Sequence, residues 1–343
     1  MDRLQVFRRE AALRIGLIGA GRIGTLHAGV LIANDAVDEL IVADIDADRA
    51  KSLAEELGAW HLDQPEDLFD ISDAVVIASS TETHVPYLLH AAEAGVPAFC
   101  EKPISIDLET ADQAVTAVHE SGIAVQIGFV RRFDTGHLAA REEIVSGGLG
   151  DVLLVTTQVH DREAPSEDYI AVSGGIFADM LIHDFDSVRF VTGSEFVDVT
   201  VTGSTHAMPV FGTYDDFATT TVTAHLENGA IVVISGTRAN AAGYDVRMEV
   251  FGTADSIAVG LDPHTPIRTL EPGLDLPRPP VTVSWLDRFG SAYRAEMEAF
   301  TRLVTEGGTS ACTIDDGRAA LVVAAACRKA AVEERPVFIE EIG

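Results

Sequence analysis

The chain has 343 residues, of which 47% are hydrophobic and 23% are charged. This composition is typical of a globular protein and excludes a disordered chain, and the length suggests two domains. There are 54 acidic and 24 basic residues, which gives a formal charge of −30. Because nucleic acids and anionic membranes both require clustered Lys and Arg, this charge argues against either of them as a partner.

The sequence shows no signal for export or for a membrane span. The longest apolar run, Ala319–Cys327, has nine residues, whereas a spanning helix needs about 18. Arg8-Arg9 precedes an apolar stretch, as in an export signal, but Arg14 interrupts that stretch. The cysteines form neither a disulfide pattern nor a metal spacing, so we predict a cytoplasmic protein; they are Cys100, Cys312 and Cys327.

A glycine-rich segment follows the first apolar run, Leu13–Ile18. In its pattern Gly19 permits a tight turn, Gly21 lets the backbone approach a pyrophosphate, and Gly24 allows close packing of a helix on a strand. A helix that starts in this segment directs its unpaired N–H groups at the phosphates. We therefore predict that the whole turn contacts a dinucleotide, through Gly19, Ala20, Gly21, Arg22, Ile23 and Gly24.

Asp44 ends the next apolar run, 20 residues after Gly24. A carboxylate at this place accepts hydrogen bonds from the adenosine ribose hydroxyls and repels the 2′-phosphate of NADP. The following residue, Ile45, is neither Arg nor Ser. The sequence thus predicts NAD as the cofactor. The alternative is a glycine-rich turn in some other α/β protein.

Short apolar strands alternate with helical segments up to about residue 130. This pattern predicts an α/β Rossmann domain, with a doubly wound, mostly parallel sheet that binds ligands beyond the carboxyl ends of its strands. Further cofactor contacts are predicted from the residues at those ends, Ser79, Thr81, His84, Glu101 and Lys102.

After about residue 150, apolar and polar residues alternate with a period of two, as at Val197–Val201 and Val246–Val250. Asn228-Gly229 indicates a hairpin between two such strands. We predict an α+β domain with an open, largely antiparallel sheet, followed by helices near Phe289–Val304 and Asp315–Val332. The predicted domains are residues 11–130 for dinucleotide binding and 131–343 for substrate binding and oligomerisation.

The second half carries an acid and a base four residues apart, Asp179 and His183, which lie on one face of a helix. An alcohol dehydrogenase without a metal needs a group that takes the hydroxyl proton, and histidine titrates in the useful range. A neighbouring carboxylate orients the imidazole. Lys102, one of only three lysines, supplies a cation beside the substrate oxygen in this interpretation.

Alternatives exist for these residues. Asp179 and His183 are also a possible metal pair, but no third ligand stands at a recognisable spacing, so we predict no metal. An acid and a histidine at this spacing also occur as an ordinary surface or core pair. Asp184 and Asp186 are interpreted as acids on a helix face or at a helix cap.

Taken together, these segments resemble the glucose–fructose oxidoreductase / inositol dehydrogenase / MocA family over about residues 13–335. The shared signatures are Gly19–Gly24, the loop Thr81-Glu82-Thr83-His84, Glu101-Lys102-Pro103 and Gly174–Asp186. Within the family the chain is most similar to inositol 2-dehydrogenases, through Gln126–Asp134, Tyr169-Ile170, Ser173-Gly174-Gly175, Ile182–Asp186 and Gly243-Tyr244-Asp245.

The resemblance implies an NAD-dependent dehydrogenase that oxidises a secondary hydroxyl of a cyclic polyol, myo-inositol to 2-keto-myo-inositol (scyllo-inosose). It implies catalytic roles for Lys102, Asp179 and His183, with His183 as the general base, and homotetramers formed through the open sheet faces. The implied substrate-binding residues are Lys102, Arg131, Arg162, Asp179, His183 and Tyr244.

One loop departs from the family pattern. In His160–Pro165, Glu163 stands where inositol enzymes usually have a shorter Asp or Asn, and this leaves the identity of the polyol open. An NAD(P)-dependent sugar or sugar-acid dehydrogenase is therefore an alternative. A non-catalytic NAD-binding sensor is an alternative of another class.

Overall fold

The computed structural model describes residues 13–262, 265–267, 269–273 and 284–343. These residues form two compact units. The first contains the chain up to Val130 together with Tyr293–Arg318, and the second contains Arg131–Ala292 together with Ala319–Gly343. One boundary thus falls at residue 130, and the first unit also takes in Tyr293–Arg318. The start of the chain, to which the export-signal interpretation applies, lies outside the described residues.

The first unit is built on a parallel sheet of six strands in the order β3-β2-β1-β4-β5-β6. The strands are β1 (Arg14–Ile18), β2 (Glu39–Ala43), β3 (Trp60–Leu62), β4 (Ala74–Ile77), β5 (Ala98–Glu101) and β6 (Val125–Gly128). The connecting helices are α1 (Arg22–Ile32), α2 (Ala47–Leu57), α3 (Leu68–Ile71), α4 (Thr81–Ala94) and α5 (Leu108–Ser121). The predicted doubly wound sheet is confirmed, and its order reverses between β1 and β4, where such sheets bind dinucleotides.

The second unit contains a mixed sheet of seven strands in the order β12-β11-β7-β10-β9-β8-β13. Its strands are β7 (Val152–His160), β8 (Phe196–Ser204), β9 (Thr219–Leu226), β10 (Ile231–Thr237), β11 (Asp245–Gly252), β12 (Ser256–Val259) and β13 (Val337–Phe338). Only β7 and β10 pair in parallel among the pairs described, so the predicted, largely antiparallel sheet is confirmed. The Asn228-Gly229 hairpin joins β9 to β10, and Gly229 has a φ of 87°.

The helices of the second half are α6 (Thr135–Val145), α7 (Glu167–Ile170), α8 (Ile182–Thr192), α9 (Trp285–Glu306) and α10 (Ile314–Glu333). The part of α9 that belongs to the first unit supplies Met297 and Phe300 to the core there, and both are fully buried. They pack with apolar side chains of the sheet such as Leu17 and Phe99. This part of α9 therefore belongs to the core of the first unit.

The segment Thr81–His84 is the first turn of α4 and not the loop that its composition indicates. Ser80 is the N-cap residue with an extended backbone, and the hydroxyl of Thr83 donates to the Ser80 carbonyl at 2.8 Å. Serine and threonine are common both in loops and at helix N-termini, so this pattern does not separate the two.

The turn between β1 and α1 is closely packed. Gly19 has a φ of 106°, a conformation that favours glycine, and its N–H donates to the carbonyl of Ala43 at 2.8 Å. A Cβ atom on Gly24 would lie 1.9 Å from the carbonyl oxygen of Gly19. The turn therefore requires glycine at both positions, and it brings the start of α1 against the end of β1.

His84 lies between the segments that follow β4 and β5 in the first unit and is 1% exposed. Its Nδ1 lies 2.8 Å from the carbonyl oxygen of Pro103, and its Nε2 lies 3.2 Å from that of Ser79. Burial lowers the pKa of His84 and outweighs these two hydrogen bonds, which raise it. The folded state therefore favours the neutral ring.

Among the described residues, no helix combines the length and the apolar composition that crossing a bilayer demands.

Replacing Gly24 by Ala is expected to lower the free energy of unfolding by about 2–3 kcal/mol, because the new methyl group displaces the backbone at Gly19. Gly29→Ala, in the same helix, is the matched control, since its Cβ meets no atom of the described residues within 4 Å. That change should stabilise the protein by about 0.5–1 kcal/mol. Urea unfolding measures both values, and equal effects would contradict the packing described.

His84 is expected to make the protein less stable in mild acid. In the unfolded chain the pKa of histidine is about 6.5, whereas burial lowers the pKa of His84 in the folded protein. Below pH 6.5 the unfolded state therefore binds a proton more strongly than the folded state, and acid favours unfolding. The contribution of neutral His84 to the free energy of unfolding is therefore present above pH 6.5 and is lost as the pH is lowered. The loss of unfolding free energy between about pH 8 and 5.5 should be about 1 kcal/mol smaller in His84→Gln.

The exposed residue His61 provides the control for this measurement. Urea unfolding of His61→Gln should show the same pH dependence as the unmodified protein. An unchanged pH dependence in His84→Gln would exclude His84 as a source of the acid sensitivity.

Candidate active site

The turn after β1 has the features of a dinucleotide-binding site. Gly21 is the N-cap of α1 and makes no side-chain cap hydrogen bond, and the first turn of the helix holds no acid. The N–H groups of the first helical turn point outward at this end, and together with the positive end of the helix dipole they favour an anion there. A Cβ atom on Gly21 would meet no atom of the described residues within 4 Å, so its backbone borders open space. The turn fits the pyrophosphate of NAD, and the individual contacts predicted for Gly19–Gly24 stay predictions.

Asp44 lies directly after β2, at the same edge of the sheet, and is 5% exposed. Its Oδ2 accepts a hydrogen bond from the N–H of Ala20 at 2.7 Å, and its Oδ1 accepts one from the N–H of Asp46 at 2.9 Å. Nη1 of Arg49 lies 3.7 Å from Oδ1. The carboxylate is thus held in one orientation beside the glycine turn, where a ribose would lie.

The other predicted cofactor residues follow β4 and β5. Ser79 lies just after β4, with its Oγ 2.6 Å from that of Thr83, and Thr81 begins α4. Glu101 is the last residue of β5 and Lys102 the next; the Lys102–Pro103 peptide bond is cis. Their positions at strand ends are as predicted. Their contacts with NAD stay predictions, as does that of the buried His84.

The second unit places Asp179 and His183 in two different elements. Asp179 lies in a π-helical turn, Phe177–Leu181, and His183 lies in the first turn of α8. The single α-helix assumed from their spacing is therefore wrong. Both are partly buried, and the two preceding glycines, Gly174 and Gly175, have positive φ values of 80° and 84°. Widened turns of this kind are frequent at functional sites.

Two side chains hold the carboxylate of Asp179. The hydroxyl of Tyr169 donates to Oδ1 at 2.8 Å, and Nη1 of Arg238 donates to Oδ2 at 2.7 Å. Arg238 is 2% exposed and also lies 3.7 Å from Asp216. Burial lowers the pKa of Arg238, but Asp179 and the neighbouring acids outweigh it and raise the pKa, so Arg238 stays charged. It keeps a positive charge beside Asp179, which favours the ionised carboxylate.

Sequence reasoning did not find Arg238. This residue directly follows β10 and is 59 positions from Asp179. No local pattern marks it, and only the folded sheet brings it to the π-helical turn.

Asp184 and Asp186 lie within α8, in agreement with the helix-face interpretation, and neither is its N-cap. Both are fully buried in α8. Nη1 and Nη2 of Arg131 bind Asp184 at 2.7 and 3.3 Å, and Arg132 binds both oxygens of Asp186. The hydroxyl of Thr157 also donates to Asp184, at 2.6 Å. Buried charges need such partners, and the distant arginines supply them.

The residues predicted to contact substrate lie in different surroundings. Arg131 is almost fully buried, with both terminal nitrogens on Asp184. Tyr244 is half-buried; its removal from water raises the pKa of its phenol, against the charge of Arg131. Arg162 is exposed and lies 3.5 Å from Glu163. Their contacts with substrate stay predictions.

Lys102 belongs to the first unit, and Asp179 and His183 belong to the second, so the predicted convergence of the three stays a prediction. For the metal alternative, the described residues hold no third His, Cys, Asp or Glu whose ligand atom is close enough to Asp179 and His183 to share an ion with them.

Comparison with known proteins assigns both halves of the chain. Residues 13–129 match the oxidoreductase family with an NAD-binding Rossmann fold, and residues 137–258 match the GFO/IDH/MocA C-terminal domain. An inositol 2-dehydrogenase of Rhizobium meliloti (strain 1021) is 36% identical over 95% of this chain and 99% of its own length. A myo-inositol 2-dehydrogenase of Thermotoga maritima is 35% identical, over 96% and 99%.

A solved structure of a dehydrogenase has the same fold. The crystal structure of scyllo-inositol dehydrogenase from Lactobacillus casei, with NAD(H) and scyllo-inositol bound, is 27% identical and superimposes with a TM-score of 0.87. The similarity covers 96% of this chain and 99% of that one. With the nucleotide turn and the fold described above, these findings show that the chain belongs to the GFO/IDH/MocA family and is an NAD-dependent oxidoreductase that acts on CH–OH groups.

Proposed function

We propose that the protein oxidises a secondary hydroxyl of a cyclic polyol, converting myo-inositol to 2-keto-myo-inositol (scyllo-inosose). The observation that carries the proposal is the similarity to inositol dehydrogenases over nearly the whole of this chain and of theirs. Because the similarity extends over both units, it includes the half predicted to bind the substrate as well as the NAD-binding half.

NAD, when bound, accepts the hydride that leaves the carbinol carbon. In the proposed reaction, Nε2 of His183 takes the proton of the hydroxyl group, so that the carbonyl forms as hydride departs. Asp179 stabilises the positive charge that His183 then carries, and its own orientation is fixed by Tyr169 and Arg238. The ammonium group of Lys102 favours the developing alkoxide.

Hydroxyl groups away from the reacting carbon are assigned to Arg131, Arg162 and Tyr244. The charge of Arg131 is shared with Asp184, which leaves the guanidinium in a fixed position. Arg162 lies beside Glu163, and the longer acid at this place is the feature of the chain that bears on the choice of polyol. Homotetramer formation stays a prediction from the family resemblance, and a cytoplasmic location stays a prediction from the cysteine pattern.

The choice of substrate is tested with a panel of myo-inositol, scyllo-inositol, pyranoses and sugar acids, by the absorbance of NADH. We expect kcat/KM for an inositol to exceed that for any sugar by about tenfold or more, because hydroxyl-specific contacts discriminate strongly. A sugar oxidised faster than the inositols would replace the proposed substrate. Failure of the entire panel would favour the NAD-binding sensor.

The catalytic assignment is tested with Lys102→Ala and His183→Ala. Each should lower kcat by about 100-fold or more, while the Kd of NAD stays within about twofold, because each group acts on the reacting hydroxyl. Lys329→Ala and His225→Ala are the controls, since the first side chain pairs with Glu341 and the second is exposed beside Asp198. Full turnover in either active-site variant would remove that residue from the mechanism.

A further inference from the structure

The first unit contains a buried cluster of His27, Glu101 and Glu296, contributed by α1, β5 and α9. Their exposed fractions are 0%, 7% and 0%. One ring nitrogen or carboxylate oxygen from each lies within 4.8 Å of the other two. Three ionisable side chains shielded from water this completely need a defined arrangement of protons or a bound ion.

Glu101 connects this cluster to Lys102. Its Oε1 lies 2.7 Å from Nε2 of His27, and its Oε2 accepts a hydrogen bond from the backbone N–H of Lys102 at 3.2 Å. The ring of His27 is held in turn by edge contacts with Phe99 and Tyr293, at centroid distances of 5.3 and 5.9 Å. The carboxylate of Glu101 therefore links a packed imidazole to the main chain of the residue assigned to the substrate oxygen.

Glu296 is the member whose charge is unaccounted for. Both of its carboxyl oxygens are buried, and neither has a hydrogen-bond partner among the described residues. Burial, and then the neighbouring charge of Glu101, raise the pKa of Glu296 well above its ordinary value. A second ionised carboxylate here would be both desolvated and repelled, so the neutral acid is the stable form.

A divalent cation is the other way to balance these charges, because His and Glu are common metal ligands. The geometry disfavours it. Two ligand atoms about 2.0–2.2 Å from a tetrahedral ion are roughly 3.3–3.6 Å apart. The 2.7 Å between His27 and Glu101 is shorter and corresponds to a charge-assisted hydrogen bond, in which the ring nitrogen carries a proton rather than a lone pair for a metal.

We propose that Glu296 is a neutral carboxylic acid in the native protein and that it acts with His27 to position Glu101, and through Glu101 the main chain of Lys102, for hydride transfer. The positioning part rests on the proposed function of Lys102, and the protonation of Glu296 does not. In this proposal the carboxyl group of Glu296, which has an oxygen within 4.8 Å of one of Glu101, turns its proton toward that carboxylate, and Glu101 remains the single negative charge of the cluster. Glu296 and His27 are positioning residues, since they act on the reaction through Glu101.

Infrared difference spectroscopy tests the protonation without any substrate. At pH 7 the protein should show the carbonyl stretching band of a protonated carboxyl group, and Glu296→Gln should remove it. Glu298→Gln, an exposed acid two residues away on the same helix, is the matched control and should leave the band unchanged. A spectrum without this band would overturn the proposal. The proposal would also be overturned if the unmodified protein contained one equivalent of a divalent metal and Glu296→Gln did not.

Kinetics with an inositol that the enzyme oxidises test the positioning. Glu296→Leu, which lacks a donor, should lower kcat by about tenfold or more and leave the KM of NAD within about twofold, because small displacements of a reacting group are costly. Glu296→Gln keeps an N–H donor and should restore kcat to within about threefold of the unmodified protein. An equal loss of kcat in both variants would show that a charged carboxylate is needed at this position, against the neutral acid. An unchanged kcat in both variants would exclude a positioning role for Glu296.

The two experiments separate this inference from the proposed function. If the infrared band is lost in Glu296→Gln but no polyol reduces NAD, the neutral acid stands and the proposed substrate fails. If Glu296→Leu does not fold, as judged by its melting transition, the infrared comparison of Glu296→Gln and Glu298→Gln still decides the protonation.

Discussion

The absence of space for a side chain between Gly24 and the carbonyl of Gly19 is the constraint on which the first unit depends. It brings α1 against the end of β1, so that the N-terminus of the helix, which favours anions, lies at the carboxyl edge of the sheet. Asp44 binds the N–H of Ala20 in the same turn. One close backbone contact thus sets both the phosphate end and the ribose end of the nucleotide site.

The residues assigned to catalysis and substrate binding are held in place by buried charged side chains. Asp179 is held by Arg238, Arg131 by Asp184, and the main chain of Lys102 by Glu101. A buried ion pair contributes little net stability, because its desolvation offsets the attraction, but breaking one is costly. Such pairs therefore give the side chains beside them a narrow range of positions, which is what hydride transfer between fixed partners requires.

The local features were predictable because they depend on neighbours in the chain. The parallel strands, the helix at Arg22–Ile32 and the hairpin at Asn228-Gly229 follow from periodicity and turn chemistry. The partner of each buried charge was not predictable. Arg131 and Asp184 are 53 positions apart, and His27 and Glu101 are 74 positions apart. Their pairing depends on sheet order and helix placement, which a local pattern does not contain.

The π-helical turn shows a related limit. A spacing of four residues reads as one face of an α-helix, but the backbone widens at Phe177–Leu181, where Tyr169 and Arg238 bind Asp179. The π-helical turn thus coincides with contacts to side chains that are distant in the sequence, and the spacing of residues within the segment does not predict it.

The first unit is discontinuous, and this has a consequence for biosynthesis. Tyr293–Arg318 completes a core that already contains Phe99, yet it leaves the ribosome only after Arg131–Ala292 of the second unit has been translated. The nascent nucleotide-binding half must therefore persist with part of its apolar surface and the His27–Glu101 pair uncovered until synthesis is nearly finished. A gene fragment that stops at residue 130 encodes the glycine turn but omits the helix that seals its interior.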